Sequence, residues 1–176
     1  EGIRKLEHVR ATSPKSSPNM PKVLHVLATA YQQMEDFRSA SGVYQEIARL
    51  VPSDFVALNN LAFLLCENLN EPERAIEFAK KAVEVTPDDE EQKGNVLDTL
   101  GWAQYRAGQL DEARVTLTQS VRVAPGLHNQ YHLARVLVEK QMTRDARFQL
   151  RSLRRLAREL NNDEFVRKAE EMLASL

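Results

Sequence analysis

The residue types that could do chemistry are present in this chain, but they are not assembled. His128 and His132 stand four apart, a spacing that puts two imidazoles on one helix face where zinc could bind. No third ligand lies near them in sequence, so no metal is expected, and His132 reads as a groove or packing residue. Asp88, Asp89, Glu90 and Glu91 form an acidic run at a helix start, where the macrodipole favours negative charge. That is a structural role rather than a carboxylate pair. The six glycines are scattered and build no phosphate-binding loop behind a strand. Cys66 is the one cysteine, so an intramolecular disulfide is impossible, and it leaves the compartment open. Nucleophile, base and orienting group cannot be brought together. The expectation is a non-enzyme with no catalytic residue and no cofactor.

Charge singles out no partner class, because 24 Lys and Arg nearly balance 25 Asp and Glu. One local feature departs from that balance. Arg144, Arg147, Arg151, Arg154, Arg155 and Arg158 fall on one side of a single helix, beside a core stripe of Ala146, Leu150, Leu153 and Ala157. Such a patch could meet nucleic-acid phosphates, an acidic protein or a membrane surface. It could equally be a solvated outer face, which is the favoured reading. The balanced net charge weighs against nucleic acid. No apolar run reaches the roughly 20 residues that span a bilayer, so no transmembrane segment is expected. The first residues read as mid-helix, which suggests a fragment of a longer chain and leaves localisation open.

The elements that would position these residues follow from an internal repeat. Leu27, Leu61, Leu100 and Leu133 are each followed by a small residue: Ala28, Ala62, Gly101 and Ala134. Further along each unit comes an alanine (Ala40, Ala75, Ala113, Ala146), and three units close on Pro52, Pro87 and Pro125. Small residues let two helix backbones approach where they cross, and proline ends a helix. Each unit carries two apolar stripes at helical spacing, such as Leu24, Leu27, Ala28 and Tyr31 followed by Ala40, Tyr44 and Ile47. The expected units are 21–54, 55–89, 90–126 with an extended first helix, and 127–160. Residues 1–14 read as the second helix of an upstream unit, with Gly2, Leu6 and Val9 inward, and 15–20 as a loop. Residues 161–176 read as a capping helix with Phe165, Ala169, Met172 and Leu173 inward.

A period of about 34 residues with this Leu-small, Ala and Pro pattern resembles the tetratricopeptide repeat family over essentially the whole chain. The stretch 98–113 (DTLGWAQYRAGQLDEA) is especially similar to bacterial members. Departures are an extra residue near Asn70, Gln104 where the family places an aromatic or Leu, and Arg158 in place of the closing proline. The resemblance implies an all-α, α-α superhelical solenoid of helix-turn-helix repeats. It also implies a protein-protein interaction scaffold whose concave groove, lined by the first helix of each unit, takes a partner peptide or helix.

Carried onto this chain, the outward positions are His25, Thr29, Gln32 and Gln33, then Asn59, Asn60, Phe63 and Cys66. The third unit offers Asp98, Thr99, Trp102, Tyr105 and Arg106, and the fourth Tyr131, His132 and Arg135. Trp, Tyr and Arg dominate binding hot spots. Trp102 and Phe63 are equally candidates for packing between units, and Asn60 for a local helix end. The family's two-carboxylate clamp for chaperone tails is not expected, since its positions read His25, Thr29, Asn95 and Thr99, with only Asn60 matching. A self-assembly module, through apolar faces exposed at the N-terminal repeat, is the alternative function.

Overall fold

A computed structural model describes all residues from Glu1 to Leu176. Every regular element is helical, and none of the helices is long and apolar enough to cross a membrane. The chain divides into two compact units, Glu1–Thr86 and Pro87–Leu176.

The N-terminal unit holds α1 (Gly2–Thr12), α2 (Met20–Gln33), α3 (Phe37–Leu50), α4 (Phe55–Glu67) and α5 (Pro72–Val85). α2 packs on α3, α3 on α4 and α4 on α5. Leu24, Leu27 and Ala28 of α2 are fully buried, as are Ala40 and Ile47 of α3. Asp36 and Asp54 start α3 and α4 by accepting from the amides of Ser39 and Ala57, a cap contributing about 1 kcal/mol each. α1 differs from its expected register. Val9 is exposed and Gly2 has open space around it, whereas Ile3, Leu6, Glu7 and Arg10 are partly covered. Polar contacts turn the helix this way. Arg10 bonds Glu46 of α3 at 2.8 Å, Lys15 pairs with the same carboxylate, and Tyr31 of α2 donates to Glu7 at 2.8 Å.

The C-terminal unit holds α6 (Glu90–Arg106), α7 (Leu110–Val123), α8 (Leu127–Glu139), α9 (Thr143–Glu159) and α10 (Asp163–Ala174). Glu90 to Lys93 form the first turn of α6, capped by Asp89 through the Gln92 amide. α6 and α7 approach closely at two glycines. A Cβ on Gly101 would stand 2.6 Å from Leu117 Cγ, and one on Gly94 would stand 2.6 Å from Ala124 Cβ. Beside Gly94 a buried polar network closes one repeat and opens the next. Ser120 donates to the Gly94 carbonyl, and Asn129 donates to Ser120 Oγ and the Ala124 carbonyl while accepting from Gly126 N. α10 buries Phe165 and Ala169 and packs on α9 and α8.

The tight turns share one device. Glu35, Asn70, Gly108, Gln141 and Asn161 all adopt a left-handed conformation, with φ between 52° and 76°. Only one of the five is glycine, the residue that takes this region without steric cost. The α9–α10 turn belongs to this set. With Arg158 in place of a closing proline, α9 runs to Glu159 and turns through Asn161 as a first helix turns into a second.

Candidate protein-binding faces

In the N-terminal unit the outward residues of α2 and α4 surround the hydroxyl of Tyr44, which reaches them from α3. That hydroxyl donates to Gln32 Oε1 at 2.8 Å and accepts from Asn60 Nδ2 at 3.3 Å. Burial pushes the Tyr44 phenol above its ordinary value, against the opposing effect of Thr29 and Asn60. His25 Nε2 meets Asp54 Oδ2 at 2.7 Å, and its ring stands edge-on to Tyr44. Asp54 therefore serves both as the cap of α4 and as the partner of His25. Thr29 is exposed and donates to the carbonyl of His25. Asn59 carries a buried Oδ1 without a hydrogen-bond partner, Gln33 is exposed, and Phe63 is 46% exposed. Cys66 does not line an outward face. It is 1% exposed, because α4 buries more than one side and leaves only Phe63 and Val56 as exposed large apolar residues.

In the C-terminal unit α6, α8 and α10 bring together an aromatic and cationic cluster. Trp102 is stacked between two rings: His132 at 4.1 Å and Tyr105 at 4.8 Å, with interplanar angles of 17° and 24°. His132 Nδ1 meets Asp98 Oδ1 at 2.8 Å, which holds the ring against the indole. Each aromatic pair contributes about 0.5–1.5 kcal/mol beyond its buried area. Arg135 lies beyond the stack. Its guanidinium donates to Tyr131 Oη at 3.1 Å and Tyr105 Oη at 3.3 Å, and stands under 6 Å from both ring centroids. Burial works against its charge, but the two phenol contacts outweigh that, so its pKa stays above the ordinary value. No carboxylate pairs with it. Lys168 of α10 adds a second cation over Tyr131 and Phe165, at 5.2 and 4.8 Å.

Thr99 turns back to the Asn95 carbonyl, and Arg106 is exposed. His128 and His132 go to different neighbours, His128 edge-on to Phe165 and His132 onto Trp102. Sequence reasoning missed Lys168 and Phe165 as members of this cluster, since α10 read only as a cover. The Asp98–His132 contact carried a signal: the two residues are 34 apart, one repeat length, and so occupy equivalent places on adjacent first helices.

The arginine patch lies on α9. Arg154 and Arg158 pair with Glu170 of α10 at 3.9 and 2.8 Å, Arg155 lies 4.0 Å from Glu159, and Arg147 donates to the Leu176 carbonyl. Arg144 and Arg151 are exposed and make no ion pair.

Stacked helix pairs with polar and aromatic first-helix faces define an all-α repeat solenoid. The tetratricopeptide repeat family matches residues 53–125, so this stretch of the chain carries tetratricopeptide repeats. A TPR repeat-containing protein of Pseudomonas aeruginosa is 28% identical over 116 residues, 64% of this chain. The chain spans 19% of that relative's length. Among solved structures, MamA of Desulfovibrio magneticus RS-1 has 20% identity and a TM-score of 0.76, covering 89% of this chain and 84% of that one. PilW, a type IV pilus biogenesis factor, has 19% identity and a TM-score of 0.72, covering 98% and 85%. A putative kinesin light chain from Podospora anserina with TPR-like repeats has 21% identity and a TM-score of 0.75, covering 90% and 86%. These likenesses establish the fold.

Proposed function

We propose that this chain is a non-catalytic scaffold that holds a peptide or helix of another protein on its first-helix faces, chiefly the Trp102–Tyr105–Tyr131–His132–Arg135 face of the C-terminal unit. Tetratricopeptide folds serve generally as protein-protein interaction scaffolds. The observation that carries the finer reading is Arg135. A partly buried guanidinium is satisfied here by two neutral phenols, with aromatic faces on either side and no carboxylate. A partner carboxylate would gain a charge-assisted bond there, while an apolar side chain beside it would cover Trp102 and Tyr105. His25, Thr29, Asn59, Asn60 and Phe63 offer a second, amide-rich face in the N-terminal unit.

A pull-down from a bacterial lysate tests this reading. Wild type should retain a specific protein, and both Trp102→Ala/Tyr105→Ala and the milder Arg135→Gln should lose it while keeping wild-type helical circular dichroism. Retention of the same proteins by all three folded chains would remove the C-terminal face from consideration.

A further inference from the structure

We propose that the outward faces of α7 and α9 in the C-terminal unit form a docking surface for an anionic phospholipid bilayer. On α9 the core stripe is Ala146, Leu150, Leu153 and Ala157. At about 100° per residue, Phe148 lies on the opposite side of the helix, and it is 75% exposed. On α7, Val115 stands opposite Ala113 and Leu117 and is 58% exposed. Ala113 and Ala146 hold the same place in successive repeats and share one core cluster. Val115 and Phe148, each two residues further on, therefore share a register and point away from that core. The same register position in the N-terminal unit holds Gly42 and Glu77, so stacking of the repeats does not require an outward apolar residue there.

The charges around Phe148 complete the surface. Arg144 and Arg151, at i−4 and i+3, flank it without an ion pair, and Arg155 is exposed with only a 4.0 Å contact to Glu159. α7 repeats part of the pattern, with Arg114 and Arg122 where α9 has Arg147 and Arg155. The acidic neighbours in sequence are Glu112, Asp145, Asp111 and Glu159; Asp111 is taken by Lys140 at 2.7 Å and Glu159 stands 4.0 Å from Arg155. A projecting ring with unpaired guanidinium groups matches a bilayer interface, where the ring enters the acyl boundary and the arginines meet phosphates. A nucleic-acid backbone would use the arginines but gain little from Phe148 and Val115. A folded acidic protein would need a preformed pocket for the ring, whereas lipid yields around it.

Flotation of the chain with phosphatidylglycerol-rich vesicles, against pure phosphatidylcholine vesicles, tests the proposal. The variants are Phe148→Ser and Arg144→Ala/Arg151→Ala, both at exposed positions. The chain should float with the anionic vesicles only, and more weakly as salt rises. Binding should fall about tenfold for Phe148→Ser, from the lost transfer of its ring. It should fall about 30-fold for the arginine pair, at roughly a factor of five per charge. Failure to float with anionic vesicles overturns the proposal. So does flotation unchanged by Phe148→Ser, and a duplex oligonucleotide that binds equally to wild type and Phe148→Ser while displacing the vesicles would mark the patch as a nucleic-acid phosphate site.

Discussion

Adding one methyl group at two different glycines should move stability in opposite directions. Gly101 lies in α6 against α7, where a Cβ would be 2.6 Å from Leu117 Cγ, 2.9 Å from its Cδ2 and 3.2 Å from its backbone N. Leu117 is fully buried and cannot swing into solvent. The helices must separate or Leu117 must leave its rotamer, an overpacking that costs about 1–3 kcal/mol. Alanine recovers about 1 kcal/mol of helix propensity, so Gly101→Ala should destabilise by up to about 2 kcal/mol. Gly42 sits within α3 with nothing within 4 Å of a Cβ. Gly42→Ala keeps only the propensity gain and should stabilise by about 0.5–1 kcal/mol. Guanidinium unfolding followed by helical circular dichroism, with fluorescence of Trp102 in α6 as a second probe, reads both. Because the two closest conflicts are with one side chain, Gly101→Ala and Leu117→Ala should be strongly non-additive in a double-mutant cycle. A Gly101→Ala chain as stable as Gly42→Ala would refute the claim that close approach selects glycine there.

Three further perturbations follow from the same contacts. Burial pushes the Glu46 carboxyl up, but Lys15 and Arg10 outweigh this and hold it below its ordinary 4.5. A depressed folded pKa means the tether of α1 is present above the unfolded value and lost as pH falls through the folded one. The protection factors of amides in residues 2–12 should therefore be highest at neutral pH and fall as the pH drops below the ordinary 4.5, and Glu46→Gln should show lowered protection at neutral pH. Asn129→Ala removes three hydrogen bonds, one buried and two partly buried, from the junction of α7 and α8 and should cost about 2–3 kcal/mol in denaturant unfolding. Glu35→Gly and Gln141→Gly relieve left-handed conformations at φ 58° and 55°, and each should stabilise the fold by about 0.5–1 kcal/mol in denaturant unfolding.

Helical class and repeat were legible because both are set by local spacing. Leu27, Leu61, Leu100 and Leu133 recur with their small neighbours, and any chain with that period buries its stripes by stacking one helix pair on the next. Gly101 stood in that pattern as a small residue, yet only the packed helices show that it meets Leu117. α1 was harder to read. Alignment with the repeat pointed to Gly2, Leu6 and Val9; Leu6 is partly covered as expected, but pairing of Arg10 with Glu46 accompanies a turn of the helix that covers Ile3, Glu7 and Arg10 and leaves Gly2 and Val9 exposed.

The candidate faces divide along the same line. By itself the sequence determined an all-helical repeat protein, because periodicity assigns each residue a side of its own helix; that the first helices carry amides, aromatics and arginines outward is what the family resemblance implied. The tertiary structure decided which of those residues meet. It placed His132 on Trp102, Arg135 between Tyr105 and Tyr131, Lys168 over Tyr131, and Asp54 on His25. It also left Arg144 and Arg151 unpaired while Glu170 took Arg154 and Arg158. Such contacts join different helices, and their distances depend on the crossing of packed backbones, which no spacing within one helix encodes.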